Sequence, residues 1–427
     1  MRRDAGAARA AAPARGGGLE AESAVDCRRA GPGGMGRMAV VARLCARRAE
    51  PARMRSAGRI AVPGRVNLIG EHIDYHGLAV LPMALDRRVI VEWSARGDSL
   101  VRATSEGFEP REFALDRPIE PWPPGDWGNY VKAGAAAALQ KWRLERGAEL
   151  RVRSSLPVAA GLSSSTALMT ACTLALLEAN GIRPSFAELM EVLPEGEYFV
   201  GTRGGGMDHA AVLGAREGCA LLVEFDPVRV APVPVPPRWA FFVADSGVKA
   251  EKSAAVKAEY NRRRFAGQRA AERLGFAGIR QALETADPGE LRRVAESSLE
   301  GTERGCFLHV IGEAHRVQEA VEAMREADAE RFGRLLNASH ESLRDLLRVS
   351  CAELDRLVEA ARESGALGAR LTGAGFGGAA VVFCPEEQAE RVAAGIERRF
   401  YEGTAEGRMF RAVPSAGALE LIARGGA

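Results

Sequence analysis

Lysine is nearly missing from this 427-residue chain: Lys132, Lys141, Lys249, Lys252 and Lys257 stand among 58 basic residues, and the rest are arginine. Arginine richness with abundant Ala and Gly reports a GC-rich coding bias, so the crowding of three lysines between 249 and 257 runs against it. That cluster reads either as an exposed helix face or as cations that meet a phosphate or a sugar. An excess of one charge sign is also lacking. A net charge of +2 gives no general field for attracting nucleic acid, and any bound anion must be held locally. The seven cysteines (27, 45, 172, 219, 306, 351 and 384) are odd in number, scattered and never spaced Cys-x-x-Cys. They exclude a disulfide scaffold and structural zinc, and predict reduced thiols in a cytoplasmic protein. No apolar run reaches the roughly 18–20 residues that span a bilayer.

What is present is a hydrophobic content of 47%, enough for a large core and for two or more domains at this length. Residues 1–56 are Arg, Ala and Gly without hydrophobic periodicity; they read as a disordered or non-native extension, with Met35, Met38 and Met54 as alternative starts. They lack the apolar stretch of a signal peptide. Two domains are expected after it, at 57–230 and 238–427. In the first, strands near 59–62 and 89–93 alternate with helices at 127–143, 164–179 and 185–200. The proline-rich stretch 227–237 predicts a linker. Beyond it come a buried strand at 239–244, helices between 254 and 364 with apolar positions every three or four residues, and a strand at 379–383. A helix near 386–400 and a last strand at 418–422 complete the expected order.

Three segments carry chemistry. Residues 63–77 place Arg65, Asn67, Glu71, His72, Asp74, Tyr75 and His76 between apolar Val66, Leu68 and Ile69. Such a set suits a polyol pocket, because carboxylates and imidazoles orient hydroxyls and are left unpaired by the wrong epimer. The same residues also suit a solvated turn between strands. The second segment, 156–168, is a small-residue loop entering a helix with Ser163, Ser164 and Ser165 at its start. Free backbone N–H groups there suit a phosphate, although Ser163 or Ser164 could equally be a plain N-cap. The third, Gly-Ala-Gly-Phe-Gly-Gly at 373–378, follows a helix and precedes a strand, the reverse of a dinucleotide fingerprint.

In this order the three segments resemble the GHMP kinases, the superfamily of galactokinase, homoserine kinase, mevalonate kinase and phosphomevalonate kinase. Within it, Glu-His-x-Asp at 71–74 is similar to the galactokinase signature. The likeness runs from about residue 59 to the C-terminus. It implies an α+β GHMP kinase fold, with a ribosomal-protein-S5-like N-terminal domain, a ferredoxin-like C-terminal domain and the active site in the cleft between them.

The resemblance also implies roles. Asp208 would orient the anomeric hydroxyl of a sugar and take its proton, with Arg65 beside it stabilising the transferred phosphoryl group. Glu71, His72, Asp74, Gly205 and Tyr260 would hold sugar hydroxyls. ATP phosphates would lie on Ala159, Ala160, Gly161, Leu162, Ser163, Ser164 and Ser165, with Gly373 and Gly375 closing over them. Ser165 and Glu197 would hold Mg2+; Glu195 is the alternative, because many members carry the carboxylate at the position of Gly196. Ala159 and Ala160 replace glycines frequent in the family, and Gly204, Gly205 and Gly206 replace a Cys-Gly-Ile and match N-acetylgalactosamine kinase instead. The segment 246–260 is longer than usual. The expected activity is ATP-dependent phosphorylation of galactose at the anomeric hydroxyl by a monomer. An N-acetylgalactosamine 1-kinase and a non-catalytic galactose and ATP sensor are the alternatives. His309, His315 and His340 read as structural.

Overall fold

A computed structural model describes residues 55–157, 161–201, 204–249, 254–403 and 408–425, the side chains of 254, 255 and 257 aside. Strands β1 (Ala57–Ile69), β2 (Leu81–Ala95), β3 (Leu100–Ser105), β4 (Phe108–Ala114) and β5 (Ala148–Ser154) form one sheet in the order β1-β2-β5-β3-β4. The pairing is antiparallel except between β3 and β5. From Val62 onward β1 is buried at almost every residue, so it reads as a continuous apolar run and lacks the alternation of a half-exposed strand. The helix Ser164–Ala179 is likewise buried nearly all round. Strands β6 (Cys219–Glu224) and β7 (Arg229–Pro234) make a separate hairpin.

A second, fully antiparallel sheet has the order β11-β8-β10-β9, built from β8 (Trp239–Asp245), β9 (Gly368–Thr372), β10 (Ala379–Pro385) and β11 (Met409–Ala412). Its inner face carries Trp239, Phe241 and Phe383, which pack on Phe332 of the helix Ala329–Ser342; ring centroids lie 4.6 Å apart for Trp239 and Phe383 and 4.9 Å for Trp239 and Phe332. These rings belong to the same buried cluster as Val62 and Leu68 of the first sheet. No described helix is long and apolar enough to cross a membrane.

Two elements differ from the sequence expectation. The proline-rich stretch is strand β7, whose Pro232 and Pro234 lie opposite Leu221 and Cys219. In a two-stranded ribbon each strand has a free edge, where a missing N–H is tolerated. The segment expected as the last strand is the helix Ala418–Ala423, entered through Gly417. A short apolar run does not distinguish the two states by periodicity.

Polar contacts tie the end of β1 to the C-terminal half. The guanidinium of Arg370, fully buried, donates through Nη1 to the carbonyls of Asn67 (2.9 Å) and Leu68 (3.0 Å). Glu313 accepts from Gly70 N–H (2.9 Å), Ser339 Oγ (2.7 Å) and Arg316 Nε (2.8 Å). Burial works to raise its carboxyl pKa, but Arg316, His309 and Arg370 outweigh that and bring it down to about 2. His309 is neutral, its pKa lowered to about 4 chiefly by burial; it donates Nε2–H to the Glu71 carbonyl (3.0 Å) and accepts Ser342 O–H at Nδ1 (2.8 Å). His340 is buried against Asp355 at 3.3 Å, and His315 pairs with Glu319 on the surface. All three histidines are structural in this arrangement. Glu313→Ala leaves a buried N–H and a guanidinium without their acceptor and is expected to destabilise the fold by about 3–5 kcal/mol. Urea unfolding measures it, and a loss below about 1 kcal/mol would show that water replaces the carboxylate.

Candidate active site

Arg65 enters the site from β1 just after a register shift at Pro63, with its backbone N–H on the Leu162 carbonyl (3.2 Å). Its guanidinium is 5% exposed. Nε and Nη2 meet Asp208 Oδ1 at 2.8 and 2.7 Å, and Nη1 donates to the Gly161 carbonyl at 2.6 Å. Burial would lower its pKa; the charges of Asp208 and Glu71 prevail and raise it. Asp208 lies in the first turn of the helix Met207–Gly214, where the helix dipole favours a carboxylate. Its other oxygen accepts from Ser163 Oγ at 2.5 Å. Burial acts to raise the Asp208 pKa, yet Arg65 and the Ser163 hydrogen bond bring it below the ordinary carboxylate value.

Ser163 does not serve as a capping side chain. It stands at the start of Ser164–Ala179 in the left-handed region (φ 56°) with no side-chain cap bond, because its hydroxyl is turned to Asp208. Leu162 is buried in the core and contributes its backbone to the loop. Ser164 and Ser165 line the cavity at the helix N-terminus; Ala159 and Ala160 lie outside the described residues.

Glu71, His72 and Ile73 of the signature are buried and Asp74, Tyr75 and His76 are half-buried, so the segment is part of a cavity wall and the reading as a freely solvated turn falls. Asp74 opens a short 3-10 turn, and its Oδ2 accepts Gly205 N–H at 3.1 Å. A Cβ at Gly205 would lie 2.5 Å from Asp74, so this position excludes a side chain. Gly206 caps the Asp208 helix at φ 98°, a conformation natural to glycine. Burial first, then the charges of Asp208 and Glu71, push the Asp74 carboxyl up to about 6. His72, neutral because burial lowers its pKa to about 3, meets the Ala374 carbonyl through Nε2 (3.1 Å) and Tyr75 OH through Nδ1 (3.0 Å). A carbonyl only accepts, so the proton is on Nε2 and Tyr75 donates to Nδ1. Tyr260, from the helix Ala254–Arg273, packs its ring 5.2 Å from His72 and 5.5 Å from Tyr75. Glu71 Oε1 accepts Gly373 N–H at 2.6 Å and lies 3.1 Å from Thr372 Oγ1.

These groups surround a cavity of about 750 Å³. Glu197 lines it, with Oε1 accepting Thr166 Oγ1 at 2.8 Å and lying 3.9 Å from His209 Nε2; Glu195 is exposed and off the cavity wall. Among the described residues no three His, Cys, Asp or Glu side chains converge on a metal-sized point. A magnesium ion carried by a nucleotide needs fewer protein ligands, and a hydroxyl and a carboxylate on one wall fit it. The cavity also has an apolar lining, from Phe108, Trp127, Tyr130, Val152, Leu156 and Leu168. Sequence reasoning missed this lining, since these residues share no motif. Lys249 also lines the cavity; Lys252 and the side chain of Lys257 lie outside the described residues.

Family models match along the chain: the galactokinase galactose-binding signature at 52–95, the GHMP kinases N terminal domain at 129–215 and the GHMP kinases C terminal region at 320–403. The galactokinase of Bos taurus is 36% identical over 85% of this chain and 92% of its own length, and that of Streptomyces coelicolor 34% over 85% and 94%. The chain belongs to the galactokinase family. Among solved structures, Lactococcus lactis galactokinase complexed with galactose superposes with a TM-score of 0.76 at 28% identity, covering 89% of this chain and 98% of that one. L. major mevalonate kinase in complex with R-mevalonate shares the fold at a TM-score of 0.59 and 21% identity, over 86% of this chain and 99% of that one.

In this galactokinase-family site the raised Asp74 carboxyl has a consequence for stability. The folded chain holds that proton up to about pH 6, against an ordinary value of 3.8. The contribution therefore favours the fold below 3.8 and is lost as pH rises through 6. Asp74→Asn, which keeps an acceptor for Gly205 N–H, should raise the Tm of the ligand-free protein at pH 8, and the gain should shrink as pH falls through 6. Differential scanning fluorimetry across that range checks it; no gain at pH 8 would contradict the buried-charge account.

Proposed function

We propose that this chain transfers the γ-phosphoryl group of ATP to the anomeric hydroxyl of galactose, giving α-D-galactose 1-phosphate and ADP. The observation that carries the reading is the Arg65, Asp208 and Ser163 cluster. It sits where a carboxylate-rich end of one cavity meets a helix N-terminus. Phosphoryl transfer asks mainly for alignment and for neutralisation of charge on the moving group.

In this reading Asp208 accepts the anomeric hydroxyl hydrogen, aligning the oxygen toward phosphorus. As the new O–P bond forms and the bond from phosphorus to the bridging oxygen of ADP breaks, Asp208 takes the proton. Arg65 keeps Asp208 a weak base, so the proton moves late, when the sugar oxygen has become acidic through bonding to phosphorus. The same guanidinium spans Asp208 and the Gly161 carbonyl, which puts its charge at the junction of sugar and phosphate. Glu71, His72, Asp74, Gly205 and Tyr260 define the sugar end. Backbone amides from Gly161 to Ser165 receive the phosphates, with Gly373 and Gly375 opposite. Ser165 and Glu197 would hold Mg2+, which when bound neutralises charge on the β- and γ-phosphates. Phe108, Trp127 and Tyr130 offer an apolar slot for the base. A cytoplasmic setting belongs to this reading: Cys172, Cys219, Cys306, Cys351 and Cys384 are free thiols.

An ADP-release assay across galactose, N-acetylgalactosamine, L-arabinose and glucose tests the substrate, and galactose should give the highest kcat/KM. A higher value for N-acetylgalactosamine would replace the reading. Asp208→Asn keeps the shape and one acceptor for Arg65, while its NH2 can only donate to Ser163 Oγ; it should lower kcat by roughly 10²–10⁴, with much smaller changes in sugar and nucleotide affinity. Turnover within about tenfold of the parent, in a folded variant, would remove Asp208 from its role. Glu197→Gln should raise the magnesium concentration needed for half-maximal rate and leave galactose affinity unchanged, whereas Glu195→Gln should be silent. A shift confined to the Glu195 variant would reverse the assignment.

A further inference from the structure

The signature turn and the glycine loop are joined by direct hydrogen bonds at successive residues. Glu71 Oε1 accepts Gly373 N–H at 2.6 Å and lies 3.1 Å from Thr372 Oγ1, and His72 Nε2–H donates to the Ala374 carbonyl at 3.1 Å. Behind Glu71, Arg370 Nη2 lies 3.6 Å from the same carboxylate oxygen and is fully buried. The far half of the loop is held elsewhere: Phe376 N–H donates to Val349 O and Gly378 N–H to Val248 O, each at 2.7 Å. Gly373 and Gly375, both at positive φ, have no side chains to anchor the near half. Its shape is therefore set by backbone bonds, and those come from Glu71 and His72.

We infer that Glu71 and His72 are positioning residues for the nucleotide: they face the sugar end of the cavity and also hold the loop at 373–375 in the shape that receives phosphates. The inference rests on the reading of that loop as part of the nucleotide site. Because two adjacent side chains serve both subsites, ordering them for one substrate reduces the ordering needed for the other. Sugar and nucleotide then bind with positive coupling, equal in both directions.

The discriminating measurement is nucleotide affinity with no sugar present, a quantity that residues serving only the sugar would not change. Magnesium ADP is titrated calorimetrically into the full chain and two variants. His72→Asn tolerates the left-handed backbone at position 72 (φ 62°) but is too short to reach Ala374 O. Thr372→Val removes the hydroxyl beside Glu71 at nearly constant shape, and Thr372 does not line the cavity. The loss of one hydrogen bond corresponds to about a fivefold rise in the ADP Kd, expected for His72→Asn, with a smaller rise in the same direction for Thr372→Val. An ADP Kd within about twofold of the parent's for both folded variants, with galactose affinity weakened in His72→Asn, would overturn the inference and confine these residues to the sugar. If His72→Asn does not fold, the Thr372→Val titration decides alone, an unchanged ADP Kd being the overturning result. Failure of the parent to bind galactose would count against the proposed substrate, and the ADP titrations would still decide the loop's support.

Discussion

The Arg65–Asp208 pair constrains the rest of the site. With Arg65 buried and Asp208 half-buried on the cavity wall, the pair is stable only where geometry is close and the remaining donors and acceptors are also met. Arg65 uses Asp208 and the Gly161 carbonyl, and Asp208 uses Arg65 and Ser163. Strand β1, the loop before Ser164–Ala179 and the helix Met207–Gly214 must therefore converge on one point. That convergence leaves a carboxylate facing a cavity with a helix N-terminus beside it. Removing the carboxylate would leave Arg65 buried and uncompensated, so the pair acts as a registration device for three segments far apart in sequence.

Two carboxylates close to this point differ in proton affinity for a reason visible in their partners. Asp208 and Asp74 are both half-buried in the cavity wall, and the water they lose raises both. Asp208 then gains a guanidinium and a hydroxyl and ends low, whereas Asp74 gains backbone N–H groups and also feels the charges of Asp208 and Glu71, ending near 6. The environment divides the roles: one carboxylate is ready to accept a proton only under demand, the other is suited to exchanging hydrogen bonds with hydroxyls.

The order of elements was legible where one apolar face recurred every three or four residues, as in Ala352–Glu363, and where an apolar run lay between turn signals, as in Trp239–Asp245. It failed at Arg229–Pro234 and Ala418–Ala423, where composition outweighed context: prolines marked a linker although a free ribbon edge accepts them, and a six-residue apolar run does not declare its state. The polar signature was legible because Glu-His-x-Asp at 71–74 combines unusual residues at fixed offsets. The apolar lining was hidden, since Phe108 of β4, Trp127 just before the helix Gly128–Lys141 and Tyr130 within it meet at the cavity only through tertiary packing. Hidden too was the second use of Glu71: its spacing from His72 is local, but its partners at 372 and 373 are some 300 residues away.

Among the described residues seven non-glycine residues have positive φ; Asp226, Ala327, Arg348 and Glu402 lie elsewhere, and the other three fall one on each of the three motifs. These are His72 (φ 62°), Ser163 (φ 56°) and Phe376 (φ 59°), all in the left-handed region. Each such residue disfavours the fold by roughly 1 kcal/mol or more and persists only where neighbours over-determine it. Here the neighbours are the site's own hydrogen bonds: His72 to Ala374 and Tyr75, Ser163 to Asp208, and Phe376 N–H to Val349. At Ser163 the trade is explicit. A serine at the head of a helix would ordinarily bond to the N2 or N3 amide; this one leaves those amides unbonded by its side chain and gives its hydroxyl to a carboxylate. A helix start capped by its own serine would be locally better satisfied, but Asp208 would then lose the hydroxyl that, with Arg65, holds its carboxylate at the cavity wall beside that helix start.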